Sequence, residues 1–597
     1  MKILDRFQQH ILIERRAMQR FLLQQLIPLA VMVLLFQSLA WCQPPSACDA
    51  WEAPVEEGIS IVRVKDDLMV KWFCPGFQKT SLSVLNGDEQ WEAMDTAFTV
   101  DPETQYSSLR RDMRAGFFRT SQEELQEFPR LRIMMPSQCI QGLPTPVRIE
   151  ILRPDGSVDW EVWEDEVSLS LPGDWFMPVY LPVHNGIVSH LLPGALVEGG
   201  GYFSAFYDGQ SAGKTVPDTP LTFGLTVAGE LSDPLTVWTP GDGIIHVTDD
   251  VTLPAGNTLR IYPDTLILLD PKKSINVRGT IECLGTVEHP VLFAAADPEN
   301  PWGQIHHDHT STRSIYKGTF FTGGGDSLGA GHTGRGPVIR VSDAEIEFDY
   351  CNFMDNYGKG LYASHGDLTF KHCLFSRSAM GMEVVDVNIA IDRCYFVEMP
   401  MGGDVGDNDP LYLHGRGNMS VTNSIFAIGG DDGIDTLSST PVIENCIIHG
   451  FLDKGISVYW GAPRISNCLI FDNDYGISAK GDPTEVYVDR TSIVRNRVSV
   501  QSRDKYGVPD AVIQYYVTNS ILWDHDWAVQ TDYPIEDISI TYCDVQGGEP
   551  FPGDGNITDD PLFVDPDANN FRLDGDSPCR GAGKDGVDMG FTYPDSP

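Results

Sequence analysis

Between residues 349 and 545 apolar and polar positions alternate in short bursts, and the bursts recur. DYCNF (349–353), KHCLF (371–375), DRCYF (392–396), TNSIF (422–426), ENCII (444–448), SNCLI (466–470), TSIV (491–494), TNSIL (518–522) and TYCDV (541–545) each set a Cys or Ser two places before a large apolar residue. The aligned column is Cys351, Cys373, Cys394, Ser424, Cys446, Cys468, Ser492, Ser520 and Cys543, in steps of 21–30 residues and mostly near 22. Three and five places upstream stand further apolar residues, among them Phe370 and Leu368, Ile391 and Ile389, Val421 and Met419, Ile540 and Ile538. Alternation with period two predicts strands that bury one face. Between the two strands lies a tight corner carrying Asn423, Asn445, Asn467 and Asn519. Asn tolerates the left-handed conformation such a corner demands, and stacked amides can bond to one another.

A third strand follows, usually after a Gly: GLYA (360–363), GMEV (381–384), PLYL (410–413), GIDT (433–436), GISV (455–458), GISA (476–479) and RVSV (497–500). Three short strands per repeat of about 22 residues predict a solenoid of parallel sheets around a narrow core. The fold class expected is all-β: a right-handed parallel β-helix preceded by a β-sandwich-like N-terminal region.

These repeats resemble the pectin-lyase-like β-helix superfamily. VTLPAGNTLRIYPDTLILL (251–269) resembles the entry coil of exported bacterial β-helix repeat proteins, and DPLFVDPDANNFRLDGDSPCRGAG (560–583) their closing coil. The passage from WGQI (302–305) through GGGD (323–326) to GGDDGID (429–435) is similar to β-helices attached to CotH-type surface proteins. The resemblance spans residues 236–585. It implies a fold rather than an activity, because the superfamily holds lyases, hydrolases, epimerases and passive stalks.

The front of the chain follows other rules. Lys2, Arg6, Arg15, Arg16 and Arg20 precede an uncharged run from Phe21 to Trp41, with small residues at Ser38 and Ala40. This predicts a signal peptide over 1–40 and an exported protein, with an uncleaved membrane anchor as the alternative. Residues 41–235 lack the repeat and predict one or two sandwich-like modules. Within them a hairpin is expected about Pro154-Asp155-Gly156 and a short capped helix at Ser121. Residues 586–597 are expected to be a C-terminal tail.

Charge narrows the partners. The 84 Asp+Glu against 42 Lys+Arg give a formal net charge of −42. Such a chain repels a phosphate backbone, which excludes nucleic acid. Six of the 12 cysteines fall in the repeat column, where Ser substitutes freely, so a small buried stack is expected there. Cys48, Cys74, Cys139, Cys283 and Cys579 stand outside it and have the option of pairing in an oxidising compartment.

Candidate chemistry sits on the third strand, whose second and fourth residues point outward. That places Glu383, Tyr412, His414, Asp435, Tyr459 and Lys480 on one exposed face. The resemblance implies a substrate groove along this sheet. Glu383, His414, Asp435 and Lys480 are the acid–base candidates, and Tyr412 and Tyr459 are candidate platforms for sugar rings. The corner before the strand is acidic: Asp404, Asp407 and Asp409, then Asp431 and Asp432, Asp453, Asp472 and Asp474. Hard oxygen ligands in turns suit Ca²⁺, with Asp409, Asp431 and Asp432 as the nearest set, although Asp is also a good turn former. GDD alone does not make a polygalacturonase: Ser364-His365-Gly366 precedes it instead of following it. His306-His307-Asp308-His309 reads as a loop rather than a metal site.

Two functions remain open. One is an exported, structural or polysaccharide-binding β-helix. The other is a lyase or hydrolase of acidic polysaccharide on the third sheet. No motif decides between them.

Overall fold

The computed structural model describes residues 130–593 except 164, 173, 401–407, 506 and 508–510, together with strand backbone between 59 and 122. The expected export segment at 1–40, Cys48 and Cys74, and Asp404 and Asp407 lie outside the described residues.

The chain divides into two units. In the first, Ile59–Val64 pairs antiparallel with Asp67–Trp72, and Lys79–Leu85 pairs with Trp91–Ala93, Phe98–Thr99 and Phe118–Gln122. Ser121 and Gln122, expected as the start of a short capped helix, end the strand Phe118–Gln122, and residues 123–129 lie outside the described residues.

In the second unit, two antiparallel sheets come first. Arg130–Met134, Thr145–Leu152 and Ile187–Leu192 form one; Asp174–Val183, Asp165–Leu171, Gly201–Tyr207 and Gln210–Val216 form the other. Val147, Ile149 and Ile151 from the first share a core with Val167, Leu169, Phe203 and Ala205 from the second. This is the expected sandwich. The hairpin about Pro154 shrinks to a single bridge between Leu152 and Val158.

Parallel coiling begins at Phe223–Glu230, which pairs with Ile244–Leu253, so the border with the sandwich falls near 222 rather than 235. From there each strand pairs in parallel with its counterpart one coil on, down to Asp544–Val545. The result is a nearly closed right-handed parallel β-helix. Its first sheet includes Asn388–Asp392, Met419–Thr422 and Val442–Glu444; its second Tyr395–Val397, Ile425–Gly429 and Ile447–Phe451; its third Met380–Val385, Leu411–His414, Ile434–Leu437, Lys454–Tyr459 and Tyr475–Lys480.

The repeat's chemistry explains the coil. Asn423, Asn445, Asn467 and Asn519 adopt φ of 48°, 55°, 46° and 50° at the first corner. Asn445 Nδ2 donates to Asn423 Oδ1 at 3.2 Å and Asn467 Nδ2 to Asn445 Oδ1 at 2.8 Å, so the corners form an amide ladder. Inside, Phe353, Phe375, Phe396 and Phe426 stack at 4.6–4.8 Å between ring centres. The repeat cysteines are buried and free. So are Cys139, Cys283 and Cys579, which corrects the option of disulfides for these three.

The outer face of the second sheet is also buried. Leu374, Tyr395, Ile425, Ile447 and Leu469 pack with residues of the sandwich and of the C-terminal segment. Polar contacts fix the docking. Arg148 donates to Asn352 Oδ1 at 3.0 Å, Ser189 Oγ lies 2.6 Å from Ser376 Oγ, and His449 Nε2 lies 2.9 Å from Asn185 Oδ1. Within the expected C-terminal tail, Phe591 and Tyr593 join this apolar layer, and the Phe591 N–H donates to Ser492 Oγ at 2.9 Å, while residues 594–597 lie outside the described residues.

Candidate functional site

With its second sheet covered, the helix has chemistry to present on the third. Register aligns Glu383, Tyr412, Asp435, Ser457, Ser478 and Gln501 in one outward column. Val385, His414, Leu437, Tyr459, Lys480 and Arg503 form the other. The six expected residues therefore do share a face, but the face is not open. Glu383 is 2% exposed, Tyr412 1% and Lys480 9%. This corrects the expectation of a bare sheet.

Part of the cover is a connection between Thr319–Thr322 and Pro337–Asp349. The His332 N–H lies 3.2 and 3.1 Å from the two Glu383 oxygens. Lys359, itself buried, donates to Glu383 and, at 2.6 Å, to the Ala330 carbonyl. The His332 ring sits 4.5 Å from that of Tyr412. Glu383, read from sequence as an acid–base group, holds this crossing segment in place.

Beside it lie the carboxylates. Oxygens of Asp409, Asp431 and Asp432 come within 4.8 Å of one another. Asp409 Oδ1 accepts the Asp432 N–H at 3.1 Å. Asp432 Oδ1 accepts both the backbone N–H and, at 2.9 Å, the ammonium of Lys454, which also pairs with Asp453. Ser457 hydrogen-bonds the Asp435 carboxylate, whose Oδ1 is buried without a hydrogen-bond partner among the described residues.

Burial sets the protonation of this group. Loss of solvation, then the neighbouring charges of Asp432, Asp435 and Asp431, push Asp409 well above the usual carboxylate range. Loss of solvation outweighs the Lys454 charge and raises Asp432 to about 7. Asp435 is raised too, against the pull of Lys480 and the Ser457 bond. Burial pulls Lys454 down, but the Asp432 charge and bonds to Asp453 and Asp432 leave it raised.

The rest of the acidic row behaves differently. Asp472 is held by Arg495 and Asp474 by Arg497, each through two bonds. Cations of the chain itself neutralise those corners, so among the described residues a metal-like set survives at Asp409, Asp431 and Asp432. His306–His309 holds no such set: it begins within the strand Ile305–Asp308, not in a loop, and His307 is a core residue bound to the Tyr316 hydroxyl at 2.9 Å.

On the other flank the Tyr459 ring stacks on Trp460 at 4.0 Å. Lys480 Nζ and Lys505 Nζ stand 5.7 and 5.6 Å from the Tyr459 ring centre. Trp460 is 46% exposed, and Arg503 and Lys505 are exposed. An apolar plane ringed by cations can hold a sugar bearing a negative charge.

Lys359, Lys454, His332 and Trp460 were not singled out from sequence. Lys454 had a signal: Lys454-Gly455-Ile456 occupies the place in its repeat that Asp432-Gly433-Ile434 occupies one coil earlier. His332 had none, because it lies outside the repeat.

A family model described as a right handed beta helix region matches residues 338–493. That span includes Glu383, Tyr412, His414, Asp435, Tyr459, Lys480 and the acidic residues from Asp404 to Asp474, whereas the crossing segment, Arg495, Arg497, Gln501, Arg503 and Lys505 lie outside it. No curated protein matches the chain.

Proposed function

We propose that this is an exported β-helix protein that binds polysaccharide on its third sheet, and that the carboxylates there cleave a glycosidic bond by acid–base chemistry. The pectin-lyase-like resemblance belongs with this proposal. The observation that carries it is the pairing of a proton-holding carboxyl with an unpartnered one. Asp432 titrates at about 7, so beside Asp409 it keeps a proton near neutral pH. Asp435 Oδ1 has no hydrogen-bond partner among the described residues. A proton held at Asp409–Asp432 can pass to the leaving glycosidic oxygen, while Asp435 takes one from the attacking water. One water is consumed and one reducing end appears. Tyr459, Trp460, Lys480 and Lys505 would orient a charged sugar. Glu383 and Tyr412 take supporting places under the crossing segment, and His414 lies in the neighbouring column, two residues on from Tyr412.

The test is incubation with polygalacturonate, alginate and a neutral glucan. New reducing ends, lost on Asp435→Asn by at least about 100-fold while binding persists, are expected. An unsaturated product would replace hydrolysis with elimination. Binding without turnover would reduce the site to a recognition surface, and neither binding nor turnover would overturn the proposal.

A second reading has its own observation. The three oxygens within 4.8 Å, with Asp435 Oδ1 unpartnered nearby, also suit Ca²⁺. A cation and the proton exclude each other there, so Ca²⁺ should raise the melting temperature at pH 8 and not at pH 5. An unchanged melting temperature at pH 8 removes this reading.

A further inference from the structure

The segment 327–335 crosses the third sheet on one side of the carboxylates, and its anchorage is dense. Ser327 Oγ donates to Gln304 Oε1 at 3.1 Å, and Arg340 donates to both Gln304 Oε1 and the Leu328 carbonyl. Lys359 holds the Ala330 carbonyl, and Glu383 takes the His332 N–H. Gly331 has φ +62°, and a Cβ there would run into the Glu383 carboxyl group, so only glycine lets the backbone lie so close. The imidazole of His332 then covers Tyr412.

Direction along the helix matters because rungs follow every ~4.8 Å. A linear glycan laid along the sheet passes from rung to rung. Toward the N-terminal rungs, its way is blocked at Tyr412 and Glu383, both fully covered. Toward the C-terminal rungs, it meets Trp460, Arg503 and Lys505, all exposed. The carboxylates sit at the border between the two.

We infer that the crossing segment makes this a chain-end site: the terminal unit of a glycan stops against His332 and Glu383 beside the carboxylates, and the rest of the chain runs over Trp460 toward Arg503. This rests on the polysaccharide reading above and adds which part of the polymer is taken.

Length dependence tests it. Size-fractionated polygalacturonate, from short oligomers to long chains, is titrated with the full-length protein carrying Asp435→Asn, and protein bound per chain is counted by light scattering. One protein per chain at every length is the expected result. Occupancy that grows in proportion to length would overturn the chain-end inference while leaving polysaccharide binding intact. No binding to any fraction would remove both. Replacing residues 328–334 with two glycines should convert the wild-type pattern to length-proportional occupancy. If this variant folds by circular dichroism and still binds once per chain, the segment is not the stop. Should it fail to fold, the count on the intact chain decides alone.

Discussion

Lys454 reaches back one rung to Asp432, and its ammonium lies 2.9 Å from Oδ1 while its own backbone N–H lies 3.2 Å from the same oxygen. Both side chains are almost wholly buried. One oxygen thus receives a mobile charge and a fixed dipole from the same residue. The pair anchors an acidic group that would otherwise repel itself.

Replacing Lys454 with Met should therefore act through Asp432. At pH 8 the variant buries an uncompensated carboxylate, and a loss of about 3 kcal/mol in urea unfolding is expected. At pH 5 Asp432 is protonated, and most of that loss should vanish. A loss of equal size at both pH values would show that packing of the lysine stem, not charge, is what matters.

Removing one acid should do the reverse. Asp409 is raised by burial and by three neighbouring carboxylates, and Asp432 is raised to about 7. Their protons are held more tightly in the folded than in the unfolded chain. Between about pH 4 and 7 the folded state binds the extra protons, so stability falls as pH rises through this window. Asp409→Asn keeps the oxygen that accepts the Asp432 N–H and deletes the charge. In chelator, it should stabilise by on the order of 2 kcal/mol at pH 8 and by almost nothing at pH 4. Melting curves across this range would check it, and a gain that is constant with pH would contradict the charge argument.

The amide ladder makes a separate prediction. Asn445 sits at φ 55° and bonds to Asn423 and Asn467. Asn445→Ala loses both bonds and leaves a Cβ in left-handed backbone without the short polar side chain that eases that conformation for Asn, at a cost of about 2 kcal/mol. Asn445→Gly relieves the backbone and loses only the bonds, so its cost should be about half. Equal costs would mean the backbone conformation contributes nothing at this corner.

The coil was legible because its signals are local and repeated. Asn at the first corner, Cys or Ser in the column and a large apolar residue two places on recur with a period mostly near 22, and each fills one role in the structure. The second sheet's cover was less legible, although a trace exists. In Leu374-Phe375, Tyr395-Phe396 and Ile425-Phe426 two large apolar residues stand side by side, one facing in and the other facing out onto the sandwich. Adjacent apolar residues in a strand mean that both faces are buried. The roof over Glu383 left no such trace. It depends on where a non-repeating segment crosses, and no periodicity encodes that. Burial in turn decided the chemistry. Sequence placed Asp409, Asp431, Asp432 and Asp435 near one another, but their raised proton affinity follows from a cover that sequence did not show.

The docking of the sandwich on the second sheet also orders events in time. Asn185 meets His449, which is 264 residues further along, and Arg148 meets Asn352, 204 residues on. A chain made from its N-terminus completes the sandwich long before those partners exist. Until the coils reach His449, an apolar flank stays bare on both parts, and the growing helix closes over it one rung at a time.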